Sequence, residues 1–298
     1  MKQKILQLKK EKNALILAHY YQLPEIWDVA DFVGDSFDLA KIAKEASCDI
    51  IVFCGVRFMA ESAKLLNSTR KVLLAASGAG CPMADMVTPE QVDALRKRHP
   101  NAAVVCYVNS TAAVKAKSDI CCTSSNALQI IRSLPNHEII FIPDQNLGRT
   151  CAESCPEKTF YYIDGCCPIH NNIYIEDVSN VKKNYPDAVF LAHPECRPEV
   201  SALADFVGST KQIIQYALKT SARKVIIGTE QEIVSWLRRL DSTREYIPLT
   251  NRFICADMKK TTLGGLKEAL EKEQEEIFIP TELAQAASLP LEKMVAKG

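Results

Sequence analysis

The sequence predicts three similar three-layer α/β/α domains with parallel sheets, arranged about a pseudo-threefold axis. Three observations predict it. The chain has 298 residues at 47% hydrophobic and 24% charged, enough for two or three domains of ordinary composition. A set of markers recurs three times at spacings of 85 to 88 residues. Within each copy, short apolar runs alternate with helical stretches, the pattern of βαβ units and parallel sheets.

The elements follow in order. Met1–Lys12 is charged and reads as a helix or lead-in, and the apolar run Ala14–Ala18 after it is too short for a signal core or membrane span. That run ends as Ile16-Leu-Ala-His19-Tyr-Tyr21, and its counterparts are Val105-Cys-Tyr107-Val-Asn109 and Leu191-Ala-His193-Pro-Glu195. About 16 or 17 residues later each copy sets a hydroxyl before a helical pattern: Ser36 before Phe37–Ala46, Ser124 before Ala127–Ser133, Ser209-Thr210 before Lys211–Leu218. A second strand-like run comes next (Ile50–Cys54, Ile139–Ile142, Val225–Ile227), then a third (Lys71–Ala75, Thr159–Ile163, Glu245–Leu249). Each copy closes on a cysteine: Cys81, Cys167 and Cys255. Pro89-Glu90 and Ile175-Glu176 open similar helices, which divides the chain into repeats 1–84, 85–171 and 172–258. Residues 259–298 leave the repeat and are expected to complete the first domain, with Thr261 or Thr262 capping a helix through Glu271 and one more helix in Pro280–Lys297.

Composition excludes several functions. Lys plus Arg and Asp plus Glu are both 36, so nothing draws the chain to a nucleic-acid backbone or an anionic membrane. Glycine is scarce at 11, and neither the dinucleotide-binding nor the P-loop glycine pattern occurs. The sequence reads without an export signal, so the protein is expected in the cytoplasm. Twelve cysteines in a reducing compartment are then not a disulfide framework, and no C-x-x-C suggests a zinc ribbon or redox pair. Most are expected to be small buried hydrophobes, as Cys54 and Cys106 are inside apolar runs.

Three cysteines keep the repeat register, and threefold placement brings Cys81, Cys167 and Cys255 together. Three thiolates are one short of a closed zinc site or a fully ligated four-iron cluster, and the open position can polarise a substrate oxygen. Ser36, Ser124 and Ser209 read as N-caps, so three helix N-termini face one cavity suited to carboxylates or phosphate. His19 with Tyr21, Tyr107 with Asn109, and His193 with Glu195 are two apart on strand ends, so each pair aims one way. They supply acid–base groups, joined by His170 beside Cys167.

These motifs resemble quinolinate synthase. The resemblance rests on Ile16–Gln22, Phe32-Val-Gly-Asp-Ser36, Gly55–Glu61, Cys81-Pro-Met-Ala84, Tyr107-Val-Asn-Ser-Thr111, Cys167-Pro-Ile-His170, His193-Pro-Glu-Cys196 and Cys255–Lys260, and runs from about residue 4 to the C-terminus. It implies one [4Fe-4S] cluster with three Cys ligands, falling on Cys81, Cys167 and Cys255, and one open iron. It implies condensation of iminoaspartate with dihydroxyacetone phosphate to quinolinate, losing phosphate and two waters, in NAD biosynthesis. A partner aspartate oxidase or dehydrogenase would supply the iminoaspartate. The implied site residues are His19, Tyr21, Ser36, Tyr107, Asn109, Ser124, His170, His193, Glu195, Ser209 and Thr210. Tyr21 and Glu195 are the candidates for proton transfer, with His19, His170 and His193 assisting or orienting. Three positions complicate the match: Arg57 where an acidic residue is expected, Gly80 where threonine is common, and Cys166 beside Cys167 as a competing ligand. A hydro-lyase with the same open-iron logic, or a non-catalytic anion- or metal-binding protein, would share the cysteine set.

Overall fold

The computed structural model describes residues 1–297. Each copy of the repeat builds one four-stranded, all-parallel sheet with helices on both faces. The first comprises α1 (Lys2–Glu11), β1 (Ala14–His19), α2 (Pro24–Trp27), β2 (Phe32–Gly34), α3 (Ser36–Glu45), β3 (Ile50–Cys54), α4 (Arg57–Leu66) and β4 (Lys71–Leu74). The second repeats this as α5 (Pro89–Arg98), β5 (Ala103–Tyr107), α6 (Ala112–Lys115), β6 (Ile120–Cys122), α7 (Ala127–Ser133), β7 (Glu138–Ile142), α8 (Gln145–Glu153) and β8 (Thr159–Tyr162). After the one-turn α9 (Pro168–Asn171) the third follows: α10 (Ile175–Asn184), β9 (Val189–Ala192), α11 (Pro198–Ser201), β10 (Phe206–Val207), α12 (Thr210–Lys219), β11 (Lys224–Gly228), α13 (Glu232–Leu240) and β12 (Glu245–Pro248).

Strand order is the same three times: β2-β1-β3-β4, β6-β5-β7-β8 and β10-β9-β11-β12. The central strands are covered on both faces and therefore read as unbroken apolar runs: Ile50–Cys54 and Ala103–Tyr107 are buried throughout. Register is pinned by a repeated aspartate. Asp31, Asp119 and Asp205 stand just before the second strand of their units. Each accepts, through Oδ2, the amide of Ile16, Val104 or Phe190, at 2.8, 2.8 and 2.7 Å. Each also donates its own amide to that same residue's carbonyl at 2.8–3.0 Å. The order reverses at the first strand, so the crevice beyond the carboxyl ends of the first and third strands is where an open α/β sheet binds ligands.

Two helices follow the repeat. Thr262, rather than Thr261, caps α14 (Leu263–Lys272), with Oγ1 accepting from the Gly265 amide at 3.1 Å. This helix packs on α1 and β3. Glu273 closes it, joined to Lys12 and Lys71 at 2.6 Å each. The last helix, α15 (Thr281–Lys297), crosses α4, α6 and β6, and so binds the first and second units together. Among the described residues no helix is long and apolar enough to cross a membrane.

Candidate active site

A cavity of about 240 Å³ is lined by residues of all three units, drawn from strand ends and the loops beyond them. Every candidate site residue and cluster ligand named from the sequence contributes to its wall except Ser209.

The three cysteines arrive by one device. Each stands a few residues beyond the last strand of its unit and just before a single helical turn. Cys81 and Cys167 are the caps of Pro82–Asp85 and α9, and Cys255 lies shortly before Met258–Lys260, its carbonyl accepting the Lys259 amide at 3.3 Å. That turn aims backbone amides at the sulfur: Ala84 and Met83 toward Cys81, His170 toward Cys167, Met258 and Asp257 toward Cys255. Burial pushes the Cys81 thiol up to about 12 and raises Cys167 and Cys255 as well, with Glu195 adding to the shift at the first two. Neighbouring loops lock this geometry. Lys259 donates to the Tyr21 carbonyl at 2.6 Å and pairs with Glu230 at 2.8 Å, while Gln22 donates to the Met258 carbonyl at 2.9 Å. Asp257 accepts from the Gly80 amide at 3.2 Å, tying the Cys255 loop to the Cys81 loop. Of the other nine cysteines, seven are buried, and Cys48 and Cys166 lie outside the cavity wall. Among the described residues, Cys167, His170 and Glu195 form a group that could hold a single ion, with ligand atoms all within 4.8 Å of one another.

Glu195 sits at the centre of the polar groups. Tyr107 Oη donates to its Oε1 at 2.7 Å, and His170 Nδ1 lies 2.8 Å from Oε2. Burial pushes this carboxyl up, but His193, His170 and the hydrogen bonds from His170 and Tyr107 outweigh it and hold it at about 2. An ionised carboxylate only accepts, so His170 Nδ1 carries hydrogen, which leaves Nε2 for a second partner. Its partner there is Thr229 Oγ1 at 2.9 Å, and Thr229 is in turn 2.9 Å from Tyr21 Oη. Tyr21 Oη also meets Thr210 Oγ1 at 2.9 Å. The result is a continuous chain, Tyr21–Thr229–His170–Glu195–Tyr107, from one side of the site to the other. Burial, reinforced by Glu195, keeps both tyrosines far above their ordinary pKa, so both hydroxyls hold their protons. Burial lowers His19 to about 3, with Lys259 and His193 adding to the effect, and lowers His193 to about 4 against the pull of Glu195. Both are neutral imidazoles, and their Nδ1 atoms accept the amides of Tyr21 (3.1 Å) and Glu195 (3.3 Å). Sequence reasoning missed Thr229. Its repeat counterparts are Gly55 and Pro143, so no shared marker points to it.

The helix caps differ from expectation at two of three serines. Asp35 caps α3 by accepting from the amides of Phe37 and Asp38, which makes Ser36 the first helical residue. Asn126 accepts the Thr123 amide at 2.8 Å, and this turn delays α7 to Ala127, leaving Ser124 in the preceding loop. Ser209 is the cap of α12, in a reciprocal capping box with Gln212, and its hydroxyl is consumed there. Two of the three expected helix N-termini therefore border the cavity, α3 through Asp35 and Ser36 and α12 through Thr210, while Ser124 reaches it from the loop before α7. Asn109 also lines the wall, and its Oδ1 is buried with no hydrogen-bond partner in the protein. Arg57 lies outside the wall and pairs with Glu61 at 3.0 Å. Gly80 has room for a side chain, since an added Cβ would meet only Asp257 Oδ1 at 4.0 Å. Of the adjacent pair, Cys167 lines the cavity and Cys166 does not.

Comparison with known proteins gives a consistent result. A family model described as "Quinolinate synthetase A protein" matches residues 3–296. A quinolinate synthase of Caldicellulosiruptor saccharolyticus is 50% identical over 295 residues, covering 99% of this chain and 97% of its own. One from Aquifex aeolicus is 47% identical over 99% of this chain and 93% of its own, and "Quinolinate synthase 2" of Methanosarcina acetivorans is 47% identical over 99% and 94%.

Proposed function

The chain belongs to the quinolinate synthase family, and we propose that it condenses iminoaspartate with dihydroxyacetone phosphate to give quinolinate, releasing phosphate and two waters, for NAD biosynthesis. One observation carries this reading: a single cavity gathers three thiols, one from each unit, with a hydrogen-bonded acid–base chain and an unpartnered Asn109 carbonyl oxygen.

The donor set fits a [4Fe-4S] cluster. Cys81, Cys167 and Cys255 are unbridged thiols, each faced by backbone amides of the residues that follow it, which is how proteins stabilise cluster-bound thiolates. They would hold three irons and leave the fourth without a protein ligand. Bound there, the cluster supplies Lewis acidity toward a substrate oxygen. Because burial keeps the free thiols protonated, loading releases protons.

The chain's own residues do the rest. Glu195 is a buried, ionised base, and the Tyr21 and Tyr107 hydroxyls are protonated donors on either side of it. His170 Nδ1 already carries the hydrogen that it gives to Glu195, so the chain through Thr229 and His170 orients the carboxylate and passes a proton only toward it, from the Tyr21 side. His19 and His193 are neutral, with Nδ1 engaged, so each offers an Nε2–H donor to substrate. The Ser36, Ser124 and Thr210 hydroxyls and the Asn109 Nδ2 amide donate to carboxylate and phosphate oxygens, and Asn109 Oδ1 accepts from a substrate N–H or O–H; Ser209 serves them indirectly by starting α12 at Thr210. In this reading the three units, divided at 84/85 and 171/172 with the C-terminal segment completing the first, surround the cavity about a pseudo-threefold axis. The protein acts in the cytoplasm, beside an aspartate oxidase or dehydrogenase that supplies iminoaspartate.

The test is quinolinate formation by anaerobically purified protein given iminoaspartate and dihydroxyacetone phosphate. Formation that disappears in Tyr21→Phe and Glu195→Gln is the expected result. No quinolinate from iron-replete protein would overturn the assignment and favour a hydro-lyase.

A further inference from the structure

The loop after the first strand of each unit carries a site residue two positions beyond a polar one. In the first and third units this residue is braced by an imidazole: the Tyr21 and Glu195 amides donate to Nδ1 of His19 and His193. The second unit has Tyr107 at the equivalent position, and its hydroxyl is already committed to Glu195 at 2.7 Å. Its loop is held another way. The Ser110 amide donates to the Val108 carbonyl at 2.8 Å, closing a three-residue turn with Asn109 at the apex. Lys115, the last residue of α6, is fully buried, and its Nζ donates to the Val108 carbonyl at 2.8 Å and the Ser110 carbonyl at 2.5 Å. These carbonyls lie on either side of Asn109. At the same place in the other units, the last residues of α2 and α11 are Trp27 and Ser201. Only the unit without an imidazole brace therefore carries the lysine.

We infer that Lys115 is a positioning residue, holding the 108–110 turn so that the Asn109 amide meets the substrate. Burying an amino group is costly unless it is hydrogen-bonded, and a methyl-ended side chain would fill the space without that cost. What the amino group adds is two fixed carbonyls around an asparagine whose Oδ1 has no other partner. The inference rests on the reading that Asn109 binds substrate, and its test separates the two.

The experiment uses iron-loaded, full-length protein in a double-mutant cycle of Lys115→Met and Asn109→Ala, with quinolinate as the probe ligand. Hydrogen exchange of the peptide spanning residues 105–112 is followed in parallel. Lys115→Met should weaken quinolinate binding at least roughly tenfold, the value of one or two lost hydrogen bonds. The double variant should bind no more weakly than Asn109→Ala alone, because a displaced asparagine has nothing further to lose. Exchange in the peptide should quicken in Lys115→Met but not in Asn109→Ala. Lys115→Gln, which keeps an amide donor, should recover part of the affinity, and it carries the same cycle if Lys115→Met does not fold. Unchanged exchange in the lysine variants, or losses that multiply in the double variant, would overturn the inference. Faster exchange with full affinity in Asn109→Ala would instead remove Asn109 from substrate binding and leave Lys115 as the brace of its turn.

Discussion

Glu195 has two hydrogen-bond donors and an imidazole neighbour, yet it is almost wholly buried. A carboxylate in that position is kept ionised only by those partners, so each of them is part of its chemistry. Thr229 is the link whose role is easiest to isolate, since it touches both Tyr21 and His170 while contributing one hydroxyl. Thr229→Val should retain fold and iron but lose roughly tenfold in turnover, the cost of one hydrogen bond. Glu195→Gln should lose roughly 10²–10⁴-fold, as for removal of a general base. Anaerobic quinolinate formation measures both, and wild-type turnover in Thr229→Val would cut the proton path at that point. Much of this site was legible from the two-residue spacing near strand ends, but the reason is not strand alternation. Tyr21, Asn109, His193 and Glu195 lie in the turns beyond β1, β5 and β9, and in the first and third units the amide of the second residue is held on the imidazole of the first. Thr229 was not legible: it breaks the repeat, and only its contacts reveal it.

Helix starts were harder to read than strands. Alternating apolar runs fix β1, β3 and their counterparts wherever they lie, and Asp31, Asp119 and Asp205 then lock the neighbouring strand in register. A cap, by contrast, is a competition among adjacent polar residues: in Asp35-Ser36 the aspartate wins, and in Thr123-Ser124-Ser125-Asn126 no side chain caps the helix, Asn126 accepting the Thr123 amide instead. The three serines therefore separate in function. Ser209→Ala should cost about 1 kcal/mol of stability, as loss of a cap does. Ser124→Ala should leave the melting temperature unchanged and weaken quinolinate binding at least roughly tenfold, the value of a charge-assisted hydrogen bond. Thermal melts and binding titrations on the two variants distinguish these outcomes. A lowered melting temperature with intact binding in Ser124→Ala would return that serine to a structural role.

Each unit brings one cysteine to the common cavity, and none of the three could close a metal site alone. That the chain is written three times, with Cys81, Cys167 and Cys255 in register, was enough to anticipate the three parallel sheets and the shared wall. The crossing of α15 over α4, α6 and β6 was not visible in the same way, because it depends on a surface formed only after two units have folded. The adjacent thiols Cys166 and Cys167 were nearly equivalent by spacing, and it is the one-turn helix after Cys167 that turns one sulfur inward and leaves the other outside. The most direct test is the iron and acid-labile sulfide content of anaerobically prepared protein, with single serine substitutions at Cys81, Cys167, Cys255 and Cys166. About four irons and four sulfides per chain are expected in the wild type and in Cys166→Ser, with loss of the cluster in the other three variants. Full iron and sulfide in any one of Cys81→Ser, Cys167→Ser or Cys255→Ser would contradict the three-unit cluster.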